Sequence, residues 1–206
     1  MTNYQRRKFL VILVSPTAGG KSTIAKALLR EKDRFAYSIS YTTRLPRGEE
    51  INGKDYHFVS WNSFKELIAS DKLLEYAEVH EQWYGTSRKT VEKLLDEGLH
   101  VVLDLDYQGA YQIREKGIDN ITIFLLPPSE RIWKKRLLQR GTDSAEMIEI
   151  RLKTAEKEFR QIRNFDYLVI NDSLDETIAV VRNIISAEEY KVSRYKNFIK
   201  DFREDK

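Results

Sequence analysis

The sequence predicts an α/β fold built around a parallel sheet, and two observations support this. Apolar runs of strand length recur at residues 9–14, 100–105, 121–126 and 167–170. Segments with helical spacing separate these runs, and the last run precedes a long amphipathic segment from about residue 174. Strands that are apolar throughout and alternate with helices are typical of a parallel sheet with helices on both faces.

Local signals predict the other elements in order. They are a helix over 23–29, strands over 37–41 and 56–59, a helix over 61–69 with Ser60 as N-cap, a strand over 73–79, a helix over 87–97 ended by Gly98, and a helix over 108–115. The short strands between about 37 and 85 interrupt the alternation of strand and helix. We therefore expect this segment to be an insertion that projects from the sheet.

The composition is compatible with a soluble enzyme. The 206 residues are 41% hydrophobic and 33% charged, and the net charge of +3 does not require nucleic acid as a partner. The chain has no cysteine, which excludes disulfides and cysteine-based metal sites or nucleophiles. No apolar segment approaches the ~20 residues of a membrane span. The first apolar run is too short for a signal-peptide core, so we expect a cytoplasmic location.

Residues 15–22, Ser-Pro-Thr-Ala-Gly-Gly-Lys-Ser, lie between the first predicted strand and the first predicted helix. This context is typical of a P-loop, in which backbone N–H groups and a helix N-terminus face a phosphate. Lys21 would add a positive charge, and Ser22 would offer a hydroxyl to Mg²⁺. Ser15 replaces the first glycine of the pattern, and Ala18 adds a Cβ inside the loop. The alternative is a structural turn that matches a relaxed pattern.

A second polar segment, 40–58, contains two arginines around a proline. Arg44 and Arg47 flank Pro46, which stiffens their spacing. Two guanidinium groups in one loop suit a phosphate monoester, because each can donate two parallel hydrogen bonds, and Tyr56 could donate a third. The alternative is a solvated turn with ordinary surface arginines.

At this segment the chain resembles the guanylate kinase family, whose signature is Ser-x-x-Thr-Arg-x-Pro-Arg-x-Gly-Glu-x-x-Gly-x-x-Tyr-x-Phe. The positions kept in register are Ser40, Thr43, Arg44, Pro46, Arg47, Glu50, Gly53, Tyr56 and Phe58. The resemblance continues through 74–77, 83–87, 104–109, 126–129 and 140–144, and it ends near 165–167. Two departures are Ala18, where the family has glycine, and Gly48, which has moved one place and leaves Glu49 as an alternative to Glu50.

The resemblance implies Mg²⁺-dependent phosphorylation of GMP or dGMP by ATP in purine metabolism. It implies a P-loop nucleoside monophosphate kinase-like parallel sheet with an inserted GMP-binding subdomain and a helical lid. The domain would span 6–190. The core would comprise 6–36, 86–128 and 154–206, the insertion 37–85 and the lid 129–153. The expected partners are the two nucleotides, without nucleic acid or membrane, and the expected state is a monomer or small homo-oligomer.

Residue roles follow from the same resemblance. For ATP they are Ser15, Pro16, Thr17, Ala18, Gly19, Gly20, Lys21, Ser22, Thr23 and Asn171. For GMP they are Ser40, Arg44, Arg47, Glu50, Tyr56, Glu75, Tyr84, Thr86 and Asp106. Lys21, Arg136, Arg140 and Arg151 are the catalytic residues. Ser22 and Asp104 would hold the metal, directly or through water.

The implied chemistry needs cations more than a general base. A phosphate monoester has its second pKa near ~6 and is largely ionised at neutral pH. Arg136 and Arg140 are spaced i,i+4, so they would share one helix face. Residues 141–143 would end that helix, and Ser144 would cap the next one, which carries Arg151. The alternative is a solvated basic helix face.

Three other functions are compatible with parts of the sequence. One is a P-loop kinase of another phosphorylated small molecule, against which Glu75 with Ser40 and Thr86 favours a guanine edge. A second is a non-catalytic guanylate-kinase-like binding module, against which Lys21, Ser22, Asp104 and the arginines of the expected lid argue. A third is a GTPase, because residues 106–109 fit Asp-x-x-Gly, but the chain has no Asn-Lys-x-Asp motif.

Overall fold

A computed structural model describes residues 5–79, 81–139 and 145–203. In chain order the elements are β1 (Leu10–Val14), α1 (Lys21–Leu28), β2 (Phe35–Tyr37), β3 (Tyr41–Thr42), β4 (His57–Phe58), α2 (Trp61–Ala69), β5 (Leu73–Val79), β6 (Gln82–Ser87), α3 (Arg88–Asp96), β7 (His100–Asp104), α4 (Tyr107–Glu115), β8 (Asn120–Leu126), α5 (Glu130–Leu138), α6 (Ala145–Arg160), β9 (Tyr167–Ile170), α7 (Leu174–Glu189) and α8 (Phe198–Arg203). Short 3₁₀ helices lie at Ile162–Asn164 and Val192–Arg194.

The core is a five-stranded parallel sheet in the order β2-β7-β1-β8-β9. Every residue of the central strand β1 is buried, because successive side chains point to opposite faces and both faces are covered. Val11 and Leu13 belong to an apolar cluster with residues of α1 and α7. Leu10 and Ile12 belong to a second cluster with residues of α3 and α4. The predicted fold class is confirmed.

A smaller sheet in the order β4-β3-β6-β5 lies beside the core. Strands β5 and β6 pair antiparallel, which places Glu75 opposite Thr86. The side-chain amide of Gln112 on α4 bonds both backbone groups of Tyr76, at 3.1 Å to its nitrogen and 2.6 Å to its oxygen. Lys116 donates to the carbonyl of Leu74 at 2.6 Å. The smaller sheet is therefore tied to helix α4 of the core.

Local signals predicted several elements well and two poorly. Helix α2 has the predicted bounds, and the Ser60 hydroxyl accepts from the N–H of Ser63 at 3.1 Å. The predicted strand over 37–41 is wrong, because the chain leaves the core sheet at Tyr37 and enters the smaller sheet at Tyr41. Strand β6 was not predicted, since its sequence Gln-Trp-Tyr-Gly-Thr-Ser is mostly polar and contains glycine.

The carboxyl ends of the core strands meet at one edge, as they do in any parallel sheet. Val14, Tyr37 and Asp104 are the last residues of β1, β2 and β7. The smaller sheet and helix α6 also reach this edge, where a cleft opens. Within the described residues, no helix is both long and apolar enough to span a membrane.

Candidate active site

The cleft at this edge has a volume of about 690 Å³. It lies between the loop after β1, the smaller sheet and helix α6. The predicted site residues that line it are Ser15, Pro16, Thr17, Ala18, Gly19, Gly20, Lys21, Ser22, Thr23, Ser40, Arg47, Tyr56, Glu75, Tyr84, Asp104, Asp106 and Arg151. The predicted phosphate loop and most of the residues predicted to bind GMP therefore face one cleft.

The loop after β1 ends at the N-terminus of α1, where Gly20 adopts a left-handed conformation with φ 101°. Within the part of the chain that the structure describes, the N–H groups of Gly20, Lys21 and Ser22 donate no hydrogen bond. The Lys21 ammonium donates to the carbonyl of Leu105 at 3.0 Å. Free N–H groups at a helix N-terminus, with a lysine beside them, are suited to phosphate.

Asp104 ends strand β7 directly across from this helix N-terminus. Its Oδ1 lies 3.4 Å from the Lys21 Nζ, and its Oδ2 accepts from the Ser22 hydroxyl at 2.9 Å. A hydroxyl beside one carboxylate fits Mg²⁺, which takes one or two carboxylates and completes its shell with water and substrate phosphates. No cluster of three or more His, Cys, Asp or Glu suited to a metal occurs within the described ranges. The donors therefore fit Mg²⁺ held jointly with a nucleotide.

The phosphate loop has alanine at position 18, where the usual pattern has glycine, and glycine at position 19. Ala18 is left-handed, with φ 64°, a conformation that costs an L-residue about 1–2 kcal/mol. A Cβ on Gly19 would lie 2.6 Å from the Ser15 Oγ and 2.8 Å from the Pro16 carbonyl oxygen. The loop therefore requires its glycine at 19 and accepts alanine at 18.

On the acceptor side, Arg44 is already paired within its own loop. Its Nη1 and Nη2 donate to the two oxygens of Glu50 at 2.7 and 2.9 Å, and the N–H of Arg47 also donates to Glu50 at 2.7 Å. The hydrogen bond from Arg44 lowers the pKa of the Glu50 carboxyl. Arg44 also donates to the Tyr84 hydroxyl at 3.3 Å and lies 4.9 Å from the Tyr56 ring centroid. Glu50, and not Glu49, is therefore the carboxylate that orders this loop, while Arg47 lines the cleft.

Glu75 is the most deeply buried acid of the cleft, with 3% of its surface exposed. Its Oε1 accepts from the Thr86 hydroxyl at 2.5 Å, and its Oε2 lies against Gly109, where a Cβ would be 2.5 Å away. Burial raises the pKa of Glu75 to about 7, against the Thr86 hydrogen bond, which lowers it, and nearby Asp106 adds to the rise. A carboxyl kept in such surroundings is a candidate ligand-binding group.

Asp106 lines the cleft and also begins helix α4. Its Oδ1 accepts from the N–H of Gly109 and its Oδ2 from the Gln108 amide, both at 2.9 Å. This carboxylate therefore fixes the helix that lies behind Glu75, whatever else it contacts.

Several predicted residues lie behind the cleft or beyond the described chain. The Asn171 amide donates to the Gly19 carbonyl at 2.7 Å, and Arg136 donates to the Asn171 carbonyl at 3.0 Å. Thr86 reaches the cleft only through Glu75. Arg151 lines the cleft from helix α6, whereas Arg140 lies outside the described residues.

The structure adds cleft residues that sequence reasoning missed. They are Tyr37, Ala77, Val79, Gln82, Leu105 and Met147. Strand periodicity could have found Ala77 and Val79, since they share a face of β5 with Glu75.

Outside the cleft lining, sequence reasoning also missed Glu158 on helix α6 as a buried acid. It is 6% exposed, and burial raises its pKa to about 7 while Lys21 lowers it and Asp106 raises it further. Within the described residues, no hydrogen bond or ion pair reaches its carboxyl.

The chain is similar to proteins of one family. The sequence model described as guanylate kinase matches residues 6–188. The chain is 41% identical over 199 residues to a guanylate kinase of Clostridium perfringens (strain 13 / Type A), covering 97% of this chain and 92% of that protein. It is 40% identical over 201 residues to one of Caldanaerobacter subterraneus subsp. tengcongensis, covering 98% of each.

Two solved structures share the fold. A guanylate kinase from Anaplasma phagocytophilum superposes with a TM-score of 0.79 at 30% identity, covering 97% of this chain and 95% of that one. The SH3-kinase fragment of tight junction protein 3 superposes with a TM-score of 0.52 at 12% identity, covering 92% and 61%. The second likeness concerns the fold alone.

Proposed function

The chain belongs to the guanylate kinase family, and we propose that it transfers the γ-phosphoryl group of ATP to GMP, giving ADP and GDP. The observation that carries the proposal is the shared cleft. A phosphate-binding loop and a buried carboxyl suited to a guanine edge line the same space. The proposal includes the division into a core, a GMP-binding insertion over 37–85 and a lid over 129–153. It also includes a cytoplasmic monomer or small homo-oligomer with no nucleic-acid or membrane partner.

The donor half of the proposed site is the loop of residues 15–23. Its free N–H groups and the Lys21 ammonium would hold the β- and γ-phosphates. Ser22 and Asp104 would hold Mg²⁺, which, when bound, neutralises phosphate charge. Arg151, which lines the cleft from helix α6, would add a further cation.

The acceptor half places Glu75 against the guanine base. Guanine presents an N1–H and an exocyclic amino group side by side, and an ionised carboxylate can accept from both. Adenine has an unprotonated N1 in the matching place, so it would set a lone pair against a lone pair. Arg47, Tyr56 and Tyr84 would hold the phosphate of GMP, with Arg44 and Glu50 ordering their loop.

The transfer requires alignment and charge neutralisation. A phosphate oxygen of GMP forms a bond to the γ-phosphorus, the bond from that phosphorus to the β–γ bridging oxygen breaks, and ADP leaves with the electron pair. The attacking oxygen is already ionised at neutral pH, so no side chain needs to remove a proton. The cations that line the cleft, Lys21, Arg47 and Arg151, would offset the charge of two polyanions.

A coupled assay of ADP release with Mg²⁺ and ATP tests this function directly. The substrates are GMP, dGMP, AMP, CMP and UMP at equal concentration. We expect turnover with GMP and dGMP to exceed turnover with AMP by at least about 100-fold, because the guanine pocket leaves its buried carboxyl unpaired with adenine. Equal turnover of all five, or none, would contradict the proposed function.

A further inference from the structure

Trp133 on helix α5 contacts the phosphate loop from behind. Its indole Nε1 donates to the carbonyl oxygen of Thr17 at 2.8 Å, and the side chain is 3% exposed. Trp133 does not line the cleft, and none of the roles described above uses it.

The neighbouring carbonyl of the loop is held in the same way. The Asn171 amide donates to the Gly19 carbonyl at 2.7 Å. The carbonyl of Asn171 in turn accepts from Arg136, which is one helical turn from Trp133 on α5. Two loop carbonyls, two residues apart, are therefore fixed toward helix α5 and the residue after β9.

Fixing these carbonyls also fixes the direction of the loop N–H groups. The peptide bonds of the described residues are all trans, and a trans peptide points its N–H opposite to its C=O. When the Thr17 carbonyl faces Trp133, the N–H of Ala18 faces away from it. By the same geometry, the Gly19 carbonyl turns the N–H of Gly20 away from Asn171. Both N–H groups then face the side on which phosphate would bind.

Trp133 also joins the loop to the helix that carries the cleft arginine. It forms an apolar cluster with Leu137 and Ala155, against which Ala18 of the loop and Leu152 of α6 pack. The methyl group of Ala18, which accompanies an unfavourable φ, thereby gains an apolar contact. The loop, helix α5 and helix α6 are one packed unit.

We infer that Trp133 is a positioning residue for the ATP triphosphate, because its indole N–H aligns the phosphate loop and its ring links that loop to helix α6. The inference rests on the proposed ATP site. It predicts that loss of this single N–H weakens binding of ATP and leaves binding of GMP unchanged.

The test is Trp133→Phe, which keeps an aromatic ring and removes the N–H. Calorimetry should show binding of a non-hydrolysable ATP analogue weakened about 3- to 10-fold, in line with one lost hydrogen bond, and GMP binding changed less than about twofold. The KM for ATP should rise by the same factor. Trp61→Phe is the matched control. Trp61 lies on helix α2 and stacks on Trp83 of the smaller sheet, with ring centroids 5.2 Å apart, so this substitution should leave both affinities unchanged.

Leu137→Ala separates alignment from packing, since it opens the same cluster without touching the Thr17 carbonyl. If ATP binding weakens equally in Leu137→Ala and Trp133→Phe, or in neither, the inference is overturned. A wild-type chain that bound no ATP analogue would overturn the proposed ATP site and this inference with it. ATP binding by Trp133→Phe at the wild-type level would overturn this inference alone.

A measurement on the wild-type chain covers the case in which Trp133→Phe does not fold. The chain has three tryptophans, so Trp61→Phe and Trp83→Phe assign the three indole N–H signals by elimination in a nitrogen–proton spectrum. The Trp133 signal should move on addition of the ATP analogue and stay in place with GMP alone. An unmoved signal with bound ATP analogue would overturn the inference.

Discussion

Strand β7 begins at His100 and ends at Asp104, and the two ends of the core sheet that it joins differ in how their buried ionisable groups are paired. At the amino end, His100 is fully buried, and its Nδ1 accepts from the N–H of Phe9 at 3.4 Å. Its Nε2 lies 2.7 Å from the Glu189 carboxylate, to which Arg34 donates at 3.1 Å. Burial lowers the pKa of His100 to about 4.

A second buried group at the amino end, Arg194, has two acidic partners for its Nη atoms, while its Nε has no hydrogen-bond partner among the described residues. Arg194 donates to Asp119 at 2.6 Å and to the buried carboxylate of Glu188 at 2.9 Å, and its guanidinium lies 3.8 Å from the Phe9 ring centroid. Buried ions with satisfied partners are a structural arrangement, since removal of one partner leaves the other uncompensated.

At the carboxyl end, two buried acids keep unused acceptor capacity. Among the described residues, Glu75 accepts one side-chain hydrogen bond, from Thr86, and no hydrogen bond or ion pair reaches the carboxyl of Glu158. Burial raises the pKa of both to about 7. Glu75 lines the cleft, whereas Glu158 is buried outside the cleft lining. A buried acid without full pairing costs stability, and such groups are candidates for ligand binding where they face a cleft. The comparison teaches that the pairing of a buried charge, more than its burial, separates structure from function here.

The largest expected effect is that of Lys21→Ala. We expect kcat/KM to fall of order 10²-fold or more, because one preorganised electrostatic contact to the phosphates is lost. The fold should persist, since the loop backbone shapes the turn. Lys26→Ala, on an exposed position of the same helix, is the matched control for turnover. Near-normal activity of a folded Lys21→Ala variant would contradict the phosphate-loop assignment.

Glu75→Gln should lower kcat/KM for GMP by at least about tenfold, because one acceptor oxygen becomes a donor amide. The ratio of kcat/KM for GMP to kcat/KM for AMP should also decrease. Glu78→Gln changes an exposed position of the same strand and is the control. It should leave kcat/KM for both GMP and AMP unchanged. Arg47→Ala should weaken GMP and AMP alike. Retention of full GMP preference by Glu75→Gln would exclude Glu75 from the guanine pocket.

The same carboxyl should make GMP binding depend on pH. Because the pKa of Glu75 is raised to about 7, the acid becomes protonated, and a poorer acceptor for guanine, as the pH falls below 7. The KM of the wild-type chain for GMP should therefore increase as the pH falls from 8 to 6. The KM of Glu75→Gln should not change over the same range. A wild-type KM that does not change over this range would contradict the raised pKa.

Glu158→Gln should stabilise the protein at high pH. The folded pKa of Glu158 is raised from 4.5 to about 7, so its contribution to stability is fully present below 4.5 and is lost as the pH rises through 7. The shift already includes the attraction to Lys21, and it corresponds to a gain of at most about 3 kcal/mol at pH 8. Urea unfolding at pH 5 and pH 8 measures it, with the exposed Glu156→Gln as control. A gain of equal size at both pH values would exclude titration as its cause.

Ala18→Gly should have the smallest effect: its free energy of unfolding should lie within about 1 kcal/mol of the wild-type value. Relief of the left-handed φ offsets the lost methyl contact and the greater entropy of glycine in the unfolded chain. Gly19→Ala should cost about 1–3 kcal/mol, because its Cβ meets the Ser15 side chain and the Pro16 carbonyl. Thermal unfolding of both variants checks this. A larger loss of stability in Ala18→Gly than in Gly19→Ala would contradict the conclusion that the loop accepts a Cβ at position 18 and not at position 19.

The sequence predicted the parts of this comparison that depend on local pattern. The phosphate loop follows from its residue types between a strand and a helix, and helix α2 from its Ser60 cap. Glu158 was not predictable, because Glu156 and Glu158 look alike in sequence and only packing of α6 buries the second. The site at Glu75 was predicted through the family resemblance, but its pairing with Thr86 depends on strand β6, whose polar sequence conceals it.

The most direct test of the difference between the two ends is a paired measurement of stability and activity on Glu75→Gln and Glu188→Gln. Urea unfolding at pH 8 gives the free energy of unfolding, and the ADP-release assay gives kcat/KM for GMP. We expect Glu188→Gln to lose about 2 kcal/mol or more with activity per folded molecule unchanged, because it weakens a buried ion pair. Glu75→Gln should keep or gain stability and lose GMP turnover. A Glu75→Gln variant that is destabilised yet keeps its preference for GMP would contradict the account.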